Sequence, residues 1–250
     1  MREIDQALAR GYGASSSSRT TPPSPPAPHF TVEPSVSSSS KGVSLEWPET
    51  VRSLEREHGD RFAALADALL DARDRRNVRV VLFTSGHRAE GRTTLVLTLA
   101  RALARRPGQT LLMDGDLSGP MLSRLLGLRP RVGLDDVVER GQNVTEALID
   151  APDDHLTILP LRLSVARPRE FFESTDWSCM IGRLRREFDL VLIDGGPLFS
   201  GPSAAIVPRS VDGAVLVRNK AIGTERTLLR AKTALEAGGV PLLGIAETFC

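Results

Sequence analysis

The chain has 250 residues, with 32 Lys and Arg against 31 Asp and Glu, and its formal charge of +1 argues against a dedicated nucleic-acid or membrane-surface binder. No apolar run approaches the roughly 18 residues that cross a bilayer, and the opening MREIDQALAR lacks the apolar centre of a secretory signal, so a cytoplasmic protein is expected. Two cysteines, Cys179 and Cys250, cannot build a disulfide framework, which fits a reducing compartment.

Residues 1–12 place Ile4 and Leu8 at helical spacing, in a helix too short to persist alone, and they end on Tyr12, the one tyrosine of the sequence. Residues 13–45 carry two SSSS runs and the stretch PPSPPAP, a composition that buries too little apolar surface to offset its ordering entropy. A disordered linker, partly polyproline in character, is expected there. Residues 46–250 remain for one α/β domain.

That domain opens with a helix expected from Trp47 to Arg73. In NVRVVLFTS, Val78, Val80, Val81, Leu82 and Phe83 form the near-continuous apolar run of a buried parallel strand. Beyond GHRAEGR, residues Leu95, Leu99, Ala102 and Leu103 recur at helical spacing. Strands are expected in QTLLMDGD, DDHLTILPL, FDLVLIDGG, VDGAVLVRN and VPLLGIAETF. Helical stretches fall at SRLLGL, around Trp177–Glu187 and from Thr224 to Ala237. Such alternation implies right-handed crossovers and a doubly wound, mostly parallel sheet with helices on both faces. Trp47 and Trp177 read as packing residues, Cys179 as a small buried hydrophobe, and Arg162, Arg167 and Arg169 as solvated charges.

The segment TSGHRAEGRTT starts where a strand ends and finishes where a helix begins, with Gly86 and Gly91 separated by four residues. This is the phosphate-loop spacing G-x-x-x-x-G-K-[ST], with Arg92 in place of lysine. Its parts are Gly86, His87, Arg88, Ala89, Glu90, Gly91, Arg92, Thr93 and Thr94. Glycines let backbone N–H groups turn inward around a phosphate, the helix N-terminus adds partial positive charge, and Thr93 stands where a Mg²⁺-binding hydroxyl is expected. A match this degenerate competes with an ordinary strand-to-helix turn. Asp114 and Asp116 at the end of one strand and Asp194 at the end of another tip the balance, because ligands of open α/β sheets bind at carboxyl edges. The expected site therefore joins the loop to Asp114, Asp116 and Asp194, with Thr93 and Asp194 able to hold Mg²⁺.

From about Asp60 to Phe249 the strings TSGHRAEGRTT, LLMDGDLSGP, LLGLRPRVGLDDVV, LTILPL, RREFDLVLIDGGP, VDGAVLV and PLLGI resemble, in this order, the bacterial tyrosine autokinases of capsule and exopolysaccharide biosynthesis. Those are P-loop proteins related to the MinD and ParA ATPases. The resemblance implies ATP and Mg²⁺ as cofactors and phosphoryl transfer to a protein tyrosine, with Asp114, Asp116 and Arg92 in catalysis and Thr93, Asp114 and Asp194 at the metal. It also implies a membrane polysaccharide chain-length or export protein as the partner that recruits the chain to the inner face of the plasma membrane. Several departures fall on functional positions. Arg92 replaces the loop lysine, and the sequence ends at Cys250 without the family's tyrosine cluster. Ala63 and Ala66 stand where the family's oligomerisation helix carries arginines, so a homo-oligomeric ring through that contact is not expected. Glu247 or Thr248 stands where an asparagine reads adenine. Three readings follow: an autokinase of reduced activity, a non-catalytic scaffold of the same fold, and, with less support because only Arg88 could serve as a further loop cation, a MinD-like or ParA-like positioning ATPase.

Overall fold

Every residue of VVLFTS and TLLMDG is buried, as in strands covered on both faces rather than one. In the computed structural model, which describes residues 42–199 and 210–248, these are β1 (Val80–Ser85) and β2 (Thr110–Gly115) of a seven-stranded sheet. The others are β3 (Ile149–Ala151), β4 (Leu156–Leu159), β5 (Leu190–Pro197), β6 (Gly213–Asn219) and β7 (Leu242–Thr248). The order is β3-β4-β2-β5-β1-β6-β7, and all neighbours run parallel except β3 against β4. The N-terminal helix, Tyr12 and nearly all of the linker read from the sequence lie outside the described residues.

Eight helices accompany the strands among the described residues: α1 (Glu49–Arg76), α2 (Arg92–Ala104), α3 (Leu122–Leu125), α4 (Leu134–Arg140), α5 (Val144–Ala147), α6 (Pro168–Glu173), α7 (Thr175–Glu187) and α8 (Glu225–Ala237). The helix α2 is buried almost all round because α1 lies over it, and the two form one core layer with Phe83, Leu112 and Leu192. On the other face Leu134 of α4, Trp177 and Leu184 of α7 and Leu235 of α8 pack with Leu111 and Ile193. Among the described residues no helix is long and apolar enough to cross a membrane.

Three features depart from expectation. The chain packs from Val43 onward, inside the segment read as linker: the Val43 N–H donates to Asp150 O at 3.2 Å, and Leu45 is buried. Composition could not show that contact, because it is made to β3, an edge strand too short to carry a periodic signal. Cys179 is exposed, since the buried stripe of α7 runs Trp177, Met180, Ile181, Leu184 and leaves position 179 on the outer face. Finally, α1 breaks helical geometry at His58 (φ −132°, ψ 22°) before ending on Asn77 in the left-handed conformation.

Trp177 is fully buried, with ring centroids of Phe172 and Phe171 at 4.9 and 5.9 Å. Trp177→Ala should lower the unfolding free energy by about 3–5 kcal/mol through lost transfer energy and a residual cavity, measured as a reduced urea midpoint at unchanged slope.

Candidate nucleotide site

The turn from β1 into α2 is held open by backbone geometry. Gly91 caps α2 at φ 80° with no side-chain hydrogen bond to the helix, and Ala89 also takes a left-handed φ of 62°. A Cβ in that region costs on the order of 1 kcal/mol, so the surrounding contacts must hold it. They do so from both sides. Leu198 and Phe199 donate N–H bonds to Ser85 O (2.8 Å) and Gly86 O (3.1 Å), while the Thr248 hydroxyl at the end of β7 donates to Glu90 O at 2.7 Å. Glu90 itself is buried and turned away from the loop mouth, accepting from the His87 N–H at 3.0 Å. The alternation of right- and left-handed residues with an uncapped helix start leaves a nest of N–H groups suited to a phosphate.

Beneath the loop, β5 runs between β1 and β2, and Asp194 sits in register with Asp114. Glycine permits the close approach here: a Cβ at Gly196 would stand 3.2 Å from the Asp116 carboxylate. Into this floor drops the side chain of Arg92, only 9% exposed. Its Nε–H donates to Asp194 Oδ1 at 3.0 Å, Nη2 to Asp116 Oδ2 at 3.1 Å and Nη1 to Ser85 Oγ at 3.0 Å. Arg88 reaches Asp116 Oδ2 from the solvent side at 3.3 Å. The Thr93 hydroxyl also acts on Asp194, favouring its charged form. Burial pushes the Asp194 carboxyl upward, against the opposing pull of the Arg92 guanidinium and the Thr93 hydroxyl.

Asp114 does something else. Its Oδ2 accepts from the N–H groups of Met121 and Leu122, both at 2.9 Å, and Oδ1 from Asp116 at 3.3 Å. Burial, aided by the neighbouring Asp194 charge, pushes this carboxyl up to about 8. In this structure Asp114 fastens the turn into α3 to the end of β2. Arg162 also departs from the solvated reading: its backbone N–H donates to Asp135 Oδ1 at 2.9 Å and its guanidinium lies 3.1 Å from Asp136 Oδ2, clasping α4. Arg167 and Arg169 do lie on the surface, paired with Glu170 and Glu173.

Beside the first turn of α2 opens a cavity of about 530 Å³, lined by Thr94 and Leu95, by Ala246, Glu247 and Thr248 of β7, and by α1 at its His58 kink. The residues present fit a nucleotide: an N–H nest for phosphates adjoins a largely apolar cavity of nucleoside size. They do not fit Mg²⁺. That ion takes octahedral oxygen ligands at about 2.0–2.1 Å, whereas the Asp116 and Asp194 carboxylates are both committed to the Arg92 guanidinium. Glu90, expected among the phosphate-binding residues of the loop, instead turns its carboxylate to the His87 N–H; Ser85 and the kink in α1 were not singled out from sequence. Only Ser85, directly ahead of the loop glycine, carried a local signal.

A phosphate loop opening a helix at the carboxyl edge of a parallel sheet defines the P-loop fold class. No family profile matches the chain. The tyrosine-protein kinase CpsD of Streptococcus pneumoniae is 28% identical over 169 residues, covering 67% of this chain and 74% of CpsD. The kinase domain of the Escherichia coli tyrosine kinase ETK superposes with a TM-score of 0.71 at 19% identity, over 79% of this chain and 81% of that domain. The Pyrococcus furiosus cell division ATPase MinD gives 0.56 at 30% identity, over 67% and 70%. The chain is thus similar to bacterial tyrosine-protein kinases such as CpsD and shares the MinD-like P-loop fold.

Two outcomes are expected. Arg92→Ala strands two buried carboxylates and should cost about 3–5 kcal/mol of stability in denaturant unfolding. The folded chain keeps the Asp114 proton up to about pH 8, whereas an unfolded aspartate releases it near 3.8. Between those values the folded state binds more protons, so this contribution to stability is full below the lower value and is lost as pH rises through the upper one. Asp114→Asn, which has no proton to lose, should flatten the fall of the urea midpoint across that window.

Proposed function

We propose that this chain binds ATP at its phosphate loop and acts in capsule or exopolysaccharide production as a nucleotide-bound partner of a membrane chain-length or export protein, with phosphoryl transfer suppressed. The observation that carries this reading is the position of Arg92, held beneath a well-formed loop by Asp116 and Asp194. The N–H groups from Ala89 to Thr94 would hold the phosphates and the adjoining cavity the nucleoside, with Glu247 and Thr248 on its β7 wall. Bound ATP would supply the phosphoryl group for any transfer. A tyrosine hydroxyl needs a carboxylate free to accept its proton, but Asp116 Oδ2 already takes Arg92 and Arg88. Nor does the guanidinium reach toward the loop as a lysine ammonium would; it faces the floor.

The family supports a role in polysaccharide production, and the absence of a membrane-spanning helix among the described residues is consistent with recruitment by a membrane partner. Calorimetric titration should give micromolar affinity for ATP. Ala246→Phe, which narrows the cavity, should weaken ATP by about tenfold, or 1.4 kcal/mol, and leave inorganic triphosphate unaffected. Transfer to a tyrosine-containing acceptor peptide should be slower in the wild type than in Arg92→Lys. Undetectable ATP binding would sink this reading, and brisk transfer by the wild type would remove its claim of suppression.

A further inference from the structure

The disagreement between the loop floor and Mg²⁺ has a direct structural cause. We propose that the Arg92 guanidinium is the resident cation of this phosphate loop, standing in for a divalent metal, so that the site takes a polyphosphate anion without one. This deepens the nucleotide-binding reading and rests on it.

Three observations converge. A planar guanidinium presents N–H donors in a fixed fork, and here Nε and Nη2 engage carboxylates from two neighbouring strands, while Nη1 engages Ser85. An ammonium also carries three donors, but they radiate from a single nitrogen rather than from a planar fork. Exposure of the side chains is 9% for Arg92, 5% for Asp116 and 3% for Asp194, so this cation is sealed into the floor rather than lying on it. Charge is also balanced locally: Asp116 and Asp194 face Arg92 and Arg88. A divalent ion placed between those carboxylates would meet a guanidinium within hydrogen-bond distance of both, and would bind only if Arg92 withdrew from all three partners.

The test uses the full chain in two arms. In the first, ATP is titrated calorimetrically in EDTA and in excess Mg²⁺. Wild-type dissociation constants should agree within about twofold, whereas Arg92→Lys should gain at least about tenfold from Mg²⁺. A tenfold gain from Mg²⁺ in the wild type would overturn the proposal, as would Arg92→Lys remaining indifferent to the metal. In the second arm Mn²⁺ alone is titrated and followed by electron paramagnetic resonance. The wild type should show no Mn²⁺ that Asp116→Asn removes, and Arg92→Ala should gain a site that Asp116→Asn abolishes. A removable site in the wild type, or none gained by folded Arg92→Ala, counts against the resident cation. Failure of ATP to bind under either condition would instead strike the nucleotide reading, leaving the Mn²⁺ arm to decide the role of Arg92.

Discussion

A guanidinium bridging two buried carboxylates organises the carboxyl edge of this sheet. Burying any one of these charges alone would cost several kcal/mol, so each requires the others, and the three must be brought together by separate elements. Asp194 comes from β5, Asp116 from the turn after β2 and Arg92 from the first turn of α2. The hydroxyl of Ser85 closes the set by accepting from Arg92 while donating to His87 O. The path of the phosphate loop, the start of α2 and the approach of two neighbouring strand ends are thus coupled through a single side chain.

Around that centre, chemically similar residues do different work because their surroundings differ. Asp114 and Asp116 are separated by one residue, yet the first is surrounded by backbone N–H groups and the second by guanidinium groups. Glu90 lies in the loop itself but turns inward and stiffens it. The left-handed Ala89 is tolerated because contacts from Leu198 and Phe199, just after β5, and from Thr248 of β7 hold both ends of the loop. The cavity owes one wall to the break at His58, which interrupts α1 where it passes the start of α2.

The relation to tyrosine kinases and MinD ATPases is carried by the hydrophobic strands and their order, features that tolerate many exchanges of similar side chains. Chemistry at a phosphate loop depends on far fewer atoms. Exchanging an ammonium for a guanidinium keeps the charge but changes its reach and its preferred partners. Ala66 shows a similar shift: the position that the family resemblance assigned to subunit contact is fully buried here, in the core layer that α1 shares with α2.

Much of this was legible from the chain alone. The apolar run ending at Ser85, the glycines at 86 and 91 and the helical spacing of Leu95, Leu99 and Leu103 are local signals, since hydropathy and backbone freedom act between near neighbours. They placed the strand, the loop, the helix and the doubly wound sheet. The same patterning missed β3, because three residues carry no period, and misplaced Cys179, because its apolar neighbours Met180 and Ile181 belong to a stripe that excludes it. Sequence likewise marked Asp114, Asp116, Asp194 and Arg92 as belonging to one edge, but not which would meet. Arg92 lies 24 positions from Asp116 and 102 from Asp194. Only the strand order, with β5 inserted between β1 and β2, brings those three charges within hydrogen-bond distance and leaves Asp114 to the backbone.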